Sequence, residues 1–299
     1  VLAGATLLGF SAIFVRWATA RGASVLTIGL YRMLFALPGV VVLIRRAGAG
    51  AGAADGRRWG ILAGLAFAAD LALWHESMRH TSAANATLLV GGLSPIWVTL
   101  FAALVLGLRY RWVAWLGQAA GLGGALILAV ARGARAGTGN GSGEALAAAA
   151  SLCYAVFTLA MSRARRTLNA PQALFWMTVS SLACFVVTSV AAGDPLAGYG
   201  ARGWASLIGL GLVVQLAAWW LSSWGLGHVD ATLGALGLQM QQIATIFLAA
   251  WLLDEPLRPL GLAGGALIMT GIVLVASPAA RRPLPLPPAT SAGAEPPAA

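Results

Sequence analysis

Apolar runs of about twenty residues, nearly free of charge, recur from one end of this sequence to the other, and they decide what it can fold into. Leu2 to Ala20, Val25 to Ile44 and Leu207 to Leu226 are examples. A helix rising 1.5 Å per residue crosses a hydrocarbon core of about 30 Å in about 20 residues. Inside that core no water satisfies the backbone, so a crossing segment is a helix or a strand of a closed barrel. Barrel strands alternate apolar and polar positions over about ten residues, and these runs do not. Composition points the same way: 9% of residues are charged and mean hydropathy is +0.82, against about 25% charged in a soluble domain. So little charge cannot cover a water-facing surface. The sequence predicts an all-α polytopic membrane protein.

The net charge of +10 comes from arginine alone. The arginines sit in pairs at the ends of apolar runs, as in cytoplasmic loops, which argues against nucleic acid as a partner. Cys153 and Cys184 fall inside apolar runs without metal-ligand spacing and read as small core residues. No cleavable signal peptide is expected, because the first run leads through Arg16 and Arg21 straight into another. Cutting at charged and Gly/Pro-rich breaks gives ten spans: 2–20, 25–44, 59–78, 82–106, 112–131, 143–162, 171–192, 203–225, 231–252 and 257–277. A tail over 278–299, rich in Pro and Ala, is expected to be disordered and cytoplasmic. With both termini inside, eleven arginines fall on the cytoplasmic side (45, 46, 57, 58, 109, 111, 163, 165, 166, 281 and 282). Six fall outside (21, 79, 132, 135, 202 and 258), with Arg16 and Arg32 left within spans. That asymmetry predicts the N-in, C-in orientation of a bacterial-type inner membrane protein.

A Gly-rich break over 133–142 divides the chain into halves, 1–132 and 143–277. An offset of 147 lays Ala102-Ala103 on Ala249-Ala250, Arg111 on Arg258, Gly117 on Gly264 and Gly124 on Gly271. Upstream, an offset of 148 lays His80 on His228 and Ala83 on Ala231. Five spans per copy is an odd number, so the second copy would enter the membrane upside down, giving two five-helix inverted-topology repeats with a site near the midplane. Gly60-xxx-Gly64, Gly117-xxx-Gly121 and Gly261-xxx-Gly265 are small-residue faces suited to close helix packing.

Several stretches resemble the EamA type of the drug/metabolite transporter superfamily. They are Ser11-Ala-Ile-Phe-Val-Arg16, Tyr31-Arg32, Trp74-His-Glu-Ser77, and Thr81 to Leu89 followed by Pro95. The Leu253-Asp-Glu255-Pro256 turn and the ending Gly271-Ile-Val-Leu274 are similar to the close of an EamA repeat. One position departs from that pattern: Leu108 stands where the first repeat usually carries Glu. The resemblance spans nearly all of 1–277 and implies export or import of amino acids, nucleosides or other metabolites, in some members coupled to protons.

Ionisable groups inside a bilayer cost roughly 2.5–3.5 kcal/mol each on insertion scales, so each needs a partner or a purpose. Arg16, Arg32, Asp70, His75 and Glu76 are the candidates, all expected in the outer half, where the two arginines could neutralise the two acids. Asp70 shares a helix face with Trp74, four residues on. A carboxylate beside an aromatic in a desolvated cavity is a candidate proton carrier, with Arg32 as its counter-charge. Trp74, Asn85, Gln239, Gln242 and Trp219 are the expected lining of a solute cavity, with Gln241 turned away. Pro95 removes a backbone bond in the fourth span and frees a carbonyl near the midplane. The histidines of His75-Glu-Ser-Met-Arg-His80 are five apart, not the four that a zinc site on one helix face needs. No phosphate loop, metal site or cofactor is expected. These observations favour a monomeric or weakly dimeric secondary transporter of a small solute in the lipid bilayer, working by alternating access and exporting its substrate. The alternative is an integral membrane enzyme that uses Asp70, His75 and Glu76 on a lipid or isoprenoid.

Overall fold

A computed structural model of the chain describes residues 1–48, 50, 52–106, 111–133, 141–226, 240–255, 259–277 and 279. Among them every regular element is helical. The first half holds α1 (Leu2–Thr19), α2 (Val25–Arg46), α3 (Ala54–His80), α4 (Ala83–Leu106) and α5 (Trp112–Gly133). The second half holds α6 (Ser142–Ala164), α7 (Ala170–Ala191), α8 (Gly200–Gly209), a π-helical stretch (Leu210–Ala218), α9 (Trp219–Leu226), α10 (Met240–Leu252) and α11 (Pro259–Ala276). α8, the π stretch and α9 follow one another without a break and form one rod. Five described helices are long and apolar enough to cross a membrane: α1, α2, α6, α7 and the rod over Gly200–Ser222. α3 is long enough but carries Asp55, Arg57, Arg58, Asp70 and Glu76.

Local signals fix the helix starts. Ser24 caps α2 by accepting from the Thr27 N–H at 3.1 Å. Asn169 and Gln172 exchange side-chain and backbone bonds, both 2.9 Å, in a capping box that opens α7, with Pro171 in its first turn. Arg45 and Arg46 close α2, where the helix dipole favours cations.

The two halves pack on each other in reciprocal pairs. α3 lies on α6 and α7, and the α8–α9 rod lies correspondingly on α1 and α2; α4 meets α6 as α10 meets α1. α2 with α7, α4 with α10 and α5 with α11 are pairs of equivalents. The α5–α11 crossing brings backbone against backbone. A Cβ at Gly124 would stand 2.5 Å from the Gly264 carbonyl oxygen, and one at Gly271 would stand 2.5 Å from that of Gly117. The offset of 147 turns each of these contacts into the other, and their order along the chain makes the two helices antiparallel. Gly64 packs as closely on α7, where a Cβ would fall 1.9 Å from Ser180 Oγ, and its carbonyl accepts from Ser181 Oγ at 2.7 Å. Of the third glycine pair, Gly265 faces Leu88 of α4 instead, and it is Gly264 and Gly271 that meet α5. The core is a continuous cluster running from Leu8 and Ile13 through Phe67 and Trp74 to Phe157, Phe185 and Val214.

Candidate functional site

α1, α2, α3 and α4 from the first half and α6, α9 and α10 from the second surround a cavity of about 230 Å³. Its wall is mostly apolar and aromatic: Phe67, Trp74, Tyr154 and Trp219, with Leu8, Leu71 and Val90. Trp219 stands edge-on to Phe67 and Phe157, with ring centroids 6.3 and 6.1 Å apart, an arrangement that suits the ring quadrupoles. Polar groups interrupt the wall at Ser11, Arg32, Asp70, Thr87, Ser94, Gln241 and Gln242.

Arg32 is 3% exposed, and its bonds are specific. Its Nε donates to Gln215 Oε1 at 2.9 Å and its Nη1 to Ser11 Oγ at 3.0 Å, while Cζ lies 5.6 Å from the centre of the Phe67 ring. Gln215, fully buried in the π-helical stretch, therefore reaches across from the second half to hold a first-half charge. Asp70 is 4% exposed, and its Oδ1 receives no hydrogen bond among the described residues. Arg32 and Asp70 line one cavity, yet no ion pair within 4 Å joins them.

The expected neutralisation of Asp70 and Glu76 by Arg16 and Arg32 is therefore corrected for Glu76 and Arg16, while Arg32 remains the cation that attracts Asp70, without an ion pair within 4 Å. Glu76 bonds within its own helix, to Arg79 at 3.0 Å and His80 at 3.1 Å, because residues three and four apart on a helix are neighbours. Arg16 lies at the end of α1, where its Nη2 donates to the Thr81 carbonyl at 2.5 Å and stands 3.5 Å from Glu255 Oε1. Glu255 also accepts the Ala83 N–H at 2.8 Å, a carboxylate at the start of α4, and Thr81 Oγ1 donates to Glu144 Oε1 at 3.0 Å. This network ties α1 and the α3–α4 turn of one half to α6 and α10 of the other. His75 is fully buried behind the cavity wall, its Nδ1 3.4 Å from the Val25 carbonyl. At the opposite end of the bundle the contacts between halves include arginine on indole, Arg163 lying 5.2 Å from the Trp59 ring and Arg57 6.0 Å from that of Trp176, and a bond from Gln172 Nε2 to the Gly50 carbonyl at 2.8 Å.

Of the expected lining, Trp74, Trp219 and Gln242 reach the cavity. Asn85 does not: α4 begins at Ala83, so Asn85 sits in its first turn, its N–H held by Ser82 Oγ at 3.1 Å, and Thr87, Val90, Gly91 and Ser94 face the cavity in its place. Gln241, expected to turn away, lines the cavity beside Gln242, because the cavity meets more than one face of α10. Gln239 lies outside the described residues. α4 continues helically through Pro95, which has no N–H for the carbonyl four residues back; that residue is Gly91, on the cavity wall. A Cβ at Gly91 would fall 1.7 Å from Gln242 Nε2, so the glycine is what admits the amide. Gly91, Tyr154 and Phe67 are lining residues that no sequence signal singled out.

The EamA-like transporter family matches residues 1–130 and again 141–277. A solved structure titled only "Crystal structure of protein" has a similar fold, with a TM-score of 0.62 at 21% identity, over 92% of this chain and 96% of its own. No curated protein matches.

Proposed function

The chain belongs to the EamA-like transporter family, and from that premise we propose that it carries a small metabolite across a bacterial-type inner membrane by alternating access, in the export direction. The observation that carries this reading is the cavity itself, built from both halves and lined by aromatic rings and a few polar groups. A solute held there touches both halves, so their relative movement would transfer access from one side to the other. The reciprocal glycine contacts of α5 and α11 support inverted repeats, since a two-fold that exchanges antiparallel helices lies across their axes. The arginines at the Trp59–Trp176 end support that end as cytoplasmic. The network of Arg16, Thr81, Glu144 and Glu255 is then the outer gate, which must part when the cavity opens outward.

Ten crossings follow from this reading, five per repeat, with the more polar α3 shielded by α6 and α7. Protons are the coupling ion we favour, because Asp70 is the carboxylate of the cavity wall. Purified protein in liposomes should exchange a labelled amine, amino acid or nucleoside across the membrane. A pH gradient should drive that solute's accumulation. Absence of flux for every solute class, in vesicles holding correctly folded protein, would sink the proposal.

A further inference from the structure

Asp70 poses a question that the transport reading leaves open: what satisfies it. A carboxylate removed from water needs donors, and Oδ1 has none among the described residues. The obvious donor, Arg32, attracts Asp70 but makes no bond to it, and two of its three nitrogens are bonded elsewhere. Arg32 gives Nε to Gln215 and Nη1 to Ser11 and lies on the Phe67 face. These contacts hold the guanidinium in place without Asp70, and the carboxylate stays open to the cavity.

Its surroundings narrow what can fill that space. Trp74 lies one helical turn from Asp70 on the same face. Trp219, whose indole Nε1 likewise has no partner among the described residues, and Tyr154 complete the aromatic wall. Aromatic faces attract cations, most strongly where water is excluded. An anion could meet Arg32 but would stand against Asp70, which Arg32 attracts without forming an ion pair within 4 Å. An ammonium would lie near Arg32 in its turn, but the guanidinium already has two acceptors and a ring face, whereas Asp70 Oδ1 has no donor among the described residues, so the unmet need of the wall is for a donor.

Resting on the transport reading above, we propose that this cavity takes a protonated amine with an aromatic or apolar body, its ammonium on Asp70 and its body against Trp74, Trp219 and Tyr154. The test is equilibrium binding of labelled phenethylamine and tryptamine to the full chain purified in detergent, with phenethyl alcohol and phenylacetate as isosteric competitors. The amines should bind saturably and compete at least about tenfold better than the alcohol or the acid, the scale of a hydrogen bond to a charged group. Asp70→Asn should lose that preference, while Asp55→Asn, at the exposed start of α3, should keep it. Competition by phenylacetate or phenethyl alcohol within twofold of the amine would overturn the assignment. So would a folded Asp70→Asn protein with unchanged amine binding, or no saturable binding of either amine. The competitor series needs only the unaltered chain, so it decides the matter even if Asp70→Asn fails to fold. Vesicle exchange separates the two readings: a chain that moves other solutes but ignores amines refutes this assignment alone, and one that binds amines without moving any solute refutes transport alone.

Discussion

The two halves agree in how they pack and differ in what they carry. Gly124 on Gly264 and Gly271 on Gly117 are one contact made twice. Ser24 and Asn169 cap the equivalent helices α2 and α7 by the same kind of side-chain bond. Yet the buried charges of the cavity, Arg32 and Asp70, both belong to the first half. The second half contributes amides and rings: Gln215, Gln241, Gln242, Tyr154 and Trp219. α7 and α10 contain no charged residue, and the α8–α9 rod has none after Arg202. Close packing tolerates little change once backbones touch, whereas a polar position on a cavity wall can change with only its local partners. Duplicated packing is kept and duplicated chemistry drifts.

Substitutions at equivalent positions should therefore behave alike where they probe packing. Gly124→Val and Gly271→Val each drive a branched side chain into the opposite backbone, and each should cost more than about 3 kcal/mol, beyond the usual range of overpacking. Gly121→Ala, in the same crossing, meets nothing nearer than the Gly92 oxygen at 3.5 Å and should cost little. Unfolding in mixed micelles would measure all three. A large difference between Gly124→Val and Gly271→Val would break the equivalence.

Where substitutions probe chemistry, the halves should behave unequally. Gln215→Leu leaves the first half's buried guanidinium without the acceptor of its Nε and should cost about 1.5–3 kcal/mol, the range for bonds to charged groups. In an Asp70→Asn background, where no carboxylate is left facing the lost cation, Arg32→Met leaves behind a neutral amide and a hydroxyl, at about 1 kcal/mol. The same unfolding measurement ranks the pair. If Arg32→Met proved the more damaging, Arg32 would be holding the fold and Gln215 merely filling it.

Much of this was legible in the sequence, and the limits have physical causes. Apolar length and capping residues are local, so the helices could be read to within a few residues at most ends, including the Asn169 start of α7. Helix phase says which residues share a face, and it placed Asp70 beside Trp74 and both toward the interior. It does not say which helix that face meets. Arg16 and Glu255 are 239 positions apart, and nothing local announces their contact. Helix phase turns Gln241 away from Gln242, whereas a cavity that meets more than one face of a helix admits two successive residues. Gly91 passed unnoticed because its use, making room for the Gln242 amide, depends entirely on a neighbour from the other half.

The smallest expected effect sharpens the comparison most, because it concerns the one place where a lost duplicate changes the two ends of the molecule. Glu255 ties together the end that the transport reading takes as outer, while at the offset of 147 the first half has Leu108, which has no carboxylate. At the opposite end the described contacts between halves are arginine on tryptophan and the neutral Gln172–Gly50 hydrogen bond. The Arg16 and Glu255 side chains are 33% and 17% exposed, so their ion pair is partly screened and worth about 0.2–1 kcal/mol. Glu255→Gln should barely alter stability, yet a bias of that size changes the ratio of open to closed gates by up to about fivefold. A cysteine at Ser11, on the cavity wall, placed in a chain with Cys153 and Cys184 replaced, would report it through labelling by a membrane-impermeant maleimide from outside. Labelling should quicken with Glu255→Gln and, in the unaltered gate, with added salt, which weakens exposed ion pairs. Arg163→Gln loosens the opposite end and should slow the same reaction or leave it unchanged. Equal acceleration by Glu255→Gln and Arg163→Gln would mean that the two ends are held alike and that the departure at Leu108 has no mechanical consequence.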